Sequence, residues 1–313
     1  MERISPECWV LTGHTASGKS QVAVEMARLL NAEIVSMDSM TVYRGMDIGT
    51  AKPPVAERHG VPHHLLDIVD PNQLFTLHEY LELAHQTVRD ITARQRQVLF
   101  VGGTPLYLKG LLRGVFEGPA ADAEFRSEVE AELQRVGVEA LHQRLQQVDP
   151  ISAMKLHPHN TRRIIRALEV YKLTGQPISH LQMQFENPPR RVHQRVVMLD
   201  WPRDQIHQRI GARVEQMFQA GLIDEVHRLL DRYGQLSRTA IQAVGYRESV
   251  EHLQGMYDRA EAIRLTTVRT RRLARRQNTW FRSFTEVLRL PMWDEPPAAT
   301  AQRAVALVEA SQS

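Results

Sequence analysis

Residues Gly13-His14-Thr15-Ala16-Ser17-Gly18-Lys19-Ser20 complete the pattern GxxxxGK[ST], a loop whose backbone N–H groups wrap a chain of phosphates. Its flanks narrow the choice of fold. Trp9-Val10-Leu11 is a short apolar run suited to a buried strand, and Gln21 to Leu30 places Val22, Ala23, Met26, Ala27 and Leu30 on one helical stripe. Strand, loop and helix in that order form the first unit of an open parallel sheet. Gly13 and Gly18 let the chain curl around anionic oxygens, Lys19 adds a mobile positive charge, and the Ser20 hydroxyl suits Mg2+.

Further strands follow the same logic. Glu33 to Met37 reads as a strand that delivers Asp38 at its C-terminal end, where ligands sit in such sheets. Val98 to Val101 runs into Gly102-Gly103-Thr104, a tip without the acid that holds Mg2+ in many phosphotransferases. Leu106 to Leu112 starts a further helix. Arg195 to Asp200 and Glu286 to Leu290 are the remaining strand segments. Strands separated by helices indicate an α/β fold, a P-loop NTPase-like doubly wound parallel sheet.

Roughly 90 residues with helical patterning lie between the third and fourth of these strands, too many for an ordinary connection. They are expected to form a helical insertion domain over residues 116–194. Residues 1–115 and 195–313 would then supply the core and its basic C-terminal helices. The clearest inserted helix starts at Asn160 or Thr161 and ends at Gly175 and Pro177, with Arg162, Arg163 and Arg166 in its N-terminal part. Asp204 to Val226 is expected to be one long helix, with Arg209 and Arg213 four apart and able to face one anion.

Composition sets the remaining bounds. With 42% hydrophobic and 24% charged residues the chain has ordinary globular usage, so wholesale disorder is excluded. The lone Cys8 rules out an intrachain disulfide and a multi-cysteine zinc site, and fits a reducing compartment. No signal peptide or apolar run of membrane-spanning length is present, so a cytoplasmic protein without membrane partners, and a monomer, is expected. Net charge is only +3, yet Arg259 to Arg282 holds eight arginines against one acid, Glu261. Such a stripe suits a nucleic-acid backbone, although a solvated helix face has the same pattern. None of the 14 histidines falls in a strong metal-ligand arrangement; His63-His64 and His157-Pro158-His159 are read as structural.

Several stretches together resemble one family. They are Asp38-Ser39-Met40-Thr41-Val42-Tyr43-Arg44-Gly45-Met46-Asp47-Ile48-Gly49-Thr50-Ala51-Lys52-Pro53, Gly102 to Tyr107, Arg163 to Glu169, Ala243-Val244-Gly245-Tyr246-Arg247 and Ala274 to Arg282. Their identity and order are similar to the tRNA dimethylallyltransferase, or tRNA isopentenyltransferase, family in its bacterial type. Two positions depart from its usual pattern: His14 replaces a proline, and Thr41 replaces a glutamine expected near the flipped adenine.

The resemblance implies transfer of a dimethylallyl group from dimethylallyl diphosphate to N6 of adenosine 37, beside the tRNA anticodon, with release of diphosphate. It implies Asp38 as general base, with Thr104 hydrogen-bonding the substrate or orienting Asp38. Ser36 and Ser39 are weaker candidates. Gly13, Thr15, Ala16, Ser17, Gly18, Lys19, Ser20 and Arg213, with Arg209 as a helper, would grip the diphosphate, with Mg2+ at Ser20. The tRNA anticodon stem-loop would meet Asp38, Ser39, Met40, Thr41, Thr104, Arg126, Arg162, Arg163, Ile164, Ile165, Arg166, Gln242, Ala243, Val244, Gly245, Tyr246 and Arg247. The insertion domain would close over the RNA. A P-loop kinase of a small molecule or nucleoside, and a non-enzymatic RNA-binding protein, are the alternatives that the loop and the basic stripe also allow.

Overall fold

A computed structural model describes residues 3–5, 7–116, 118–186 and 195–312. Among the described residues six strands form one sheet: β1 (Trp9–Gly13), β2 (Ala32–Ser36), β3 (His63–His64), β4 (Gln97–Gly102), β5 (Val196–Asp200) and β6 (Val287–Pro291). Their order is β3-β2-β4-β1-β5-β6 and every pairing is parallel. The chain leaves β1 toward β2 and returns through β4, then crosses β1 to reach β5. The direction therefore reverses between β4 and β1, whose C-terminal ends make the crevice that binds ligands in open α/β sheets.

The central strands are buried and mostly apolar, as a sheet covered on both faces requires, and buried Glu33 of β2 is paired with His64 and Arg94. Thr12, the polar exception in β1, spends its hydroxyl on the Gly102 carbonyl at 2.8 Å. The short edge strand β3 was not anticipated. Its two histidines lack the apolar run that marks a strand, and it exists because Ile34 and Val35 offer it a ladder.

Twelve helices are described: α1 (Lys19–Leu30), α2 (Leu77–Ala93), α3 (Pro105–Arg113), α4 (Ala123–Val148, interrupted at Gly137), α5 (Pro150–Lys155), α6 (Thr161–Thr174), α7 (Ile178–Glu186), α8 (Arg203–Gln219), α9 (Leu222–Tyr233), α10 (Tyr246–Leu253), α11 (Arg259–Phe281) and α12 (Pro297–Gln312). The single helix expected over Asp204 to Val226 is two. Its apolar stripe continues through the region, but Gly221 takes φ 92° and turns the chain between α8 and α9. None of the described helices is long and apolar enough to cross a membrane.

The chain divides into two compact units. Residues 3–112 and 195–312 build the sheet and its flanking helices; residues 113–186 build a helical unit. The helical unit has its own core, in which Ile164, Ile165, Leu168 and Val170 of α6 pack with Phe125, Val129, Leu141 and Leu145 of α4.

Candidate active site

The phosphate loop joins β1 to α1, and its carbonyls are held by its own lysine and by two side chains from beyond β5. Lys19 Nζ donates to the carbonyls of Gly13 (3.1 Å) and His14 (2.7 Å), Arg209 Nε to that of Ala16 (2.9 Å), and Trp201 Nε1 to that of Ser17 (2.9 Å). Arg209 in turn lies 4.3 Å from the centre of the Trp201 ring. With these carbonyls fixed, the loop keeps one curl. Ala16 accepts a left-handed φ of 63° within it, a strained setting typical of ligand clamps. Helix α1 starts behind Gly18 with no side-chain cap, so its first amides have no acceptor within the helix. That arrangement attracts an anion.

Charge around the loop points the same way. Burial and then the nearby Arg213 guanidinium lower the Lys19 amine to about 8, with Asp38 opposing them. Burial also lowers Arg213, again opposed by Asp38. Arg213 reaches across to the Thr50 carbonyl at 3.3 Å. Two cations thus share a poorly hydrated site with one carboxylate, and a multiply charged anion would relieve their repulsion. The buried His14 packs edge-on against Phe281, and burial and Lys19 hold its imidazole below its ordinary range.

Asp38 follows β2, and its Oδ1 accepts the Met40 N–H at 2.9 Å. Beside it, β4 ends against β2 so closely that a Cβ on Gly102 would stand 1.9 Å from the Met37 carbonyl oxygen. Only glycine fits there. This approach brings Thr104 to the ledge, where its Oγ1 accepts the Ser39 N–H at 3.1 Å and reaches Ser39 Oγ at 3.4 Å. Thr104 therefore orients the turn through Ser39 and makes no hydrogen bond to Asp38 itself. Below the ledge Tyr80 stacks on Tyr107 with ring centres 3.9 Å apart and donates to the Ser36 carbonyl. Burial and the Asp38 charge raise both phenols, which stay neutral. Thr41 is buried, with its Oγ1 2.8 Å from Ser36 Oγ.

The stretch after Asp38 has a structural role that its sequence did not disclose. Glu225 of α9 is buried and accepts the N–H groups of Asp47 (3.1 Å) and Ile48 (2.8 Å), while its other oxygen takes the Tyr246 hydroxyl at 2.5 Å. Lys52 turns inward to Asp47, Asp67 and the Tyr43 carbonyl. The segment is a braced wall beside the loop.

Of the residues assigned to RNA, the structure separates two groups. In the sheet unit Gln242 and Arg247 are exposed, whereas Ala243, Gly245 and Tyr246 are buried and Val244 half-buried. Tyr246 is a strut for Glu225, so its side chain is unavailable to RNA. On α11, Arg271, Arg272, Arg275 and Arg276 are exposed, as is Arg282 just beyond its end, while Arg259, Arg264 and Arg269 bond to Phe218, Glu261 and Glu248. In the helical unit Arg162 and Arg163 are exposed. Ile164 and Ile165 are core residues there, so their side chains do not offer a contact surface. Arg126 and Arg166 both bond to Glu169, whose side chain is fully enclosed. Burial works against that carboxylate's charge, but the two arginines and the Asp122 N–H hold it below its ordinary range.

Sequence reasoning passed over Trp201, Glu225 and Gln277. Gln277 is buried on α11 and joins the Thr15 N–H to the Gly103 carbonyl. A long amide side chain on the inward stripe of an arginine-rich helix, otherwise made of small residues and one phenylalanine, was the available signal.

A phosphate loop at the reversal point of a parallel sheet, faced by a carboxylate and two half-buried cations, defines a P-loop-like α/β protein with a seat for a polyanion. The comparisons with known proteins go further: the chain belongs to the IPP transferase family, whose model matches residues 41–284. It is 48% identical over 305 residues to the tRNA dimethylallyltransferase of Rhodopirellula baltica, covering 95% of this chain and 91% of the relative. That of Methylococcus capsulatus is 44% identical over 284 residues, covering 90% and 91%. Among solved structures, the tRNA isopentenylpyrophosphate transferase of Bacillus halodurans superposes with a TM-score of 0.68 at 38% identity, covering 98% of each chain. A eukaryotic dimethylallyltransferase acting on tRNA superposes with a TM-score of 0.78 at 27% identity, covering 96% of this chain and 78% of that one.

Proposed function

We propose that this chain transfers the dimethylallyl group of dimethylallyl diphosphate to N6 of adenosine 37 in tRNA. The observation that carries the reading is the placement of Asp38 within electrostatic reach of Lys19 and Arg213. A base and a diphosphate seat then share one ledge. As the allylic carbon–oxygen bond breaks, negative charge grows on the departing diphosphate, and the loop amides, Lys19 and Arg213 stabilise it. The adenine amine attacks the carbon, and its proton passes to Asp38. General-base help of this kind contributes about 10²- to 10⁴-fold. Thr104, hydrogen-bonded to Ser39 beside Asp38, is the group we assign to contact the reacting atoms.

The residues present fit a divalent ion carried mainly by phosphate oxygens and water. Among the described residues no three of His, Cys, Asp and Glu converge on a metal site, while the Ser20 hydroxyl lies exposed in the first turn of α1. Mg2+ held by the diphosphate and Ser20 would add charge neutralisation at the leaving group. The base must leave the anticodon-loop stack to reach Asp38, a small expense for an unpaired nucleotide. The exposed arginines of α11, with Arg247, Arg162 and Arg163, supply phosphate contacts.

Incubating the protein with an anticodon stem-loop, Mg2+ and dimethylallyl diphosphate, followed by nucleoside mass analysis, tests the reading. A dimethylallyl adduct at adenosine 37 is expected, lost in Asp38→Ala while stem-loop binding persists. Transfer of labelled γ-phosphate from ATP, with no adduct, would establish the kinase alternative.

A further inference from the structure

The inward stripe of α11 is Ala262, Thr266, Thr270, Ala274, Gln277 and Phe281, mostly small residues on which the helix packs closely. Gln277 is its one long polar member. Its Oε1 accepts the Thr15 N–H at 3.0 Å and its Nε2 donates to the Gly103 carbonyl at 2.6 Å. Thr15 belongs to the loop after β1 and Gly103 to the tip after β4. One side chain therefore spans the two strand ends that frame the crevice. The amide is needed in full: a carboxylate would set acceptor against acceptor at Gly103, and a thioether would satisfy neither partner.

Space at the bridge is equally restricted. A Cβ on Gly103 would come within 2.9 Å of Gln277 Nε2 and 3.1 Å of the Gly13 carbonyl oxygen, with Lys19 Nζ at 3.6 Å. The tip, the loop, the loop lysine and α11 meet at this point. Immediately before Gln277 on the same helix stand Arg275 and Arg276, both exposed.

We propose that Gln277 is a positioning residue that latches the arginine-bearing helix to the phosphate loop and the β4 tip, so that RNA held on α11 tightens the diphosphate seat. The proposal rests on the reading of α11 as an RNA face and of the loop as the donor seat. Binding linkage makes the effect reciprocal: diphosphate tightens RNA by the same factor, and couplings of this type are usually about 5- to 150-fold.

The test is calorimetry of the full-length protein with inorganic diphosphate and Mg2+, with and without the anticodon stem-loop, on the wild type, Gln277→Met and Gly103→Ala. The wild type is expected to bind diphosphate at least about fivefold more tightly with the stem-loop present. In Gln277→Met that enhancement disappears and diphosphate affinity alone falls about tenfold, while stem-loop affinity without diphosphate stays within about threefold. Gly103→Ala, which wedges the bridge from the other side, loses the same enhancement and covers the case in which Gln277→Met fails to fold. Equal enhancement in wild type and either folded variant overturns the latch, as does a wild type with none. Because diphosphate binding needs no prenyl transfer, a missing adduct at adenosine 37 would refute the proposed reaction and leave this result separately readable.

Discussion

Trp201 donates its indole N–H to the Ser17 carbonyl at 2.9 Å, so the segment joining β5 to α8 grips the phosphate loop from behind. The ring is buried and carries the Arg209 guanidinium on its face, and Arg209 holds the next carbonyl, that of Ala16. Trp201→Phe retains an aromatic face and removes the donor. A typical net hydrogen-bond contribution of about 0.5–1.5 kcal/mol corresponds to about a twofold to tenfold loss. Diphosphate affinity, measured calorimetrically, is expected to weaken by that factor, with stem-loop affinity unchanged.

With a diphosphate seated on the loop as proposed, Lys19 should make its capture depend on pH above neutrality. Burial and Arg213 lower its amine from the ordinary 10.5 to about 8 in the free protein. Diphosphate favours the ammonium form, so the complex holds the proton more tightly than the free enzyme. Below about pH 8 the proton is already present and affinity is flat with respect to this group. Above it each binding event must take up a proton, and affinity falls about tenfold per pH unit until the amine in the complex also titrates. Lys19→Arg keeps its charge throughout this range and should lose the inflection. The check is diphosphate affinity measured from pH 7 to 10 on both proteins.

Thr41 faces Ser36 across 2.8 Å and is buried, so its hydroxyl serves the base of the Asp38 turn. Thr41→Val keeps the shape and leaves Ser36 without that partner, at a cost of about 1–3 kcal/mol in stability. The turnover number with saturating substrates should change less than about threefold. Denaturant unfolding and steady-state kinetics on the same preparation separate the two effects.

The parts of the site that could be read from sequence are those written contiguously. The loop from Gly13 to Ser20 carries its mechanism in eight neighbouring residues, and β1, β2 and β4 have apolar centres, Trp9-Val10-Leu11, Ile34-Val35 and Val98 to Val101, that lead to the loop, Asp38 and Gly102. The bonds that make these pieces one site join distant residues: Thr15 to Gln277, Ser17 to Trp201, and Ile48 to Glu225. Periodicity cannot register such pairs, because each partner occupies an ordinary position on its own helix or loop. The same blindness explains Tyr246 and Ile164, which belong to stretches resembling RNA-binding motifs yet point inward. A motif names a segment, whereas burial decides which of its side chains face a ligand.

The arginines of the helical unit divide by partner, and so should the effects of removing them. Arg126 and Arg166 surround Glu169, whose side chain has no exposure to solvent. Removing both leaves a buried carboxylate with only the Asp122 N–H, and breaking a buried pair from one side costs about 3–5 kcal/mol. Arg126→Ala combined with Arg166→Ala is therefore expected to unfold the helical unit at a markedly lower denaturant concentration. Glu169→Gln should cost less, because the two arginines are partly exposed and can turn to water. Arg162 and Arg163 are exposed and take part in no such cluster. Replacing either by alanine should leave unfolding unchanged and reduce by about one the slope of log affinity against log salt for the anticodon stem-loop. Filter binding between 50 and 300 mM salt, beside denaturant melts of the same variants, measures both. A salt slope unchanged in Arg162→Ala and Arg163→Ala would remove these two residues from the RNA interface.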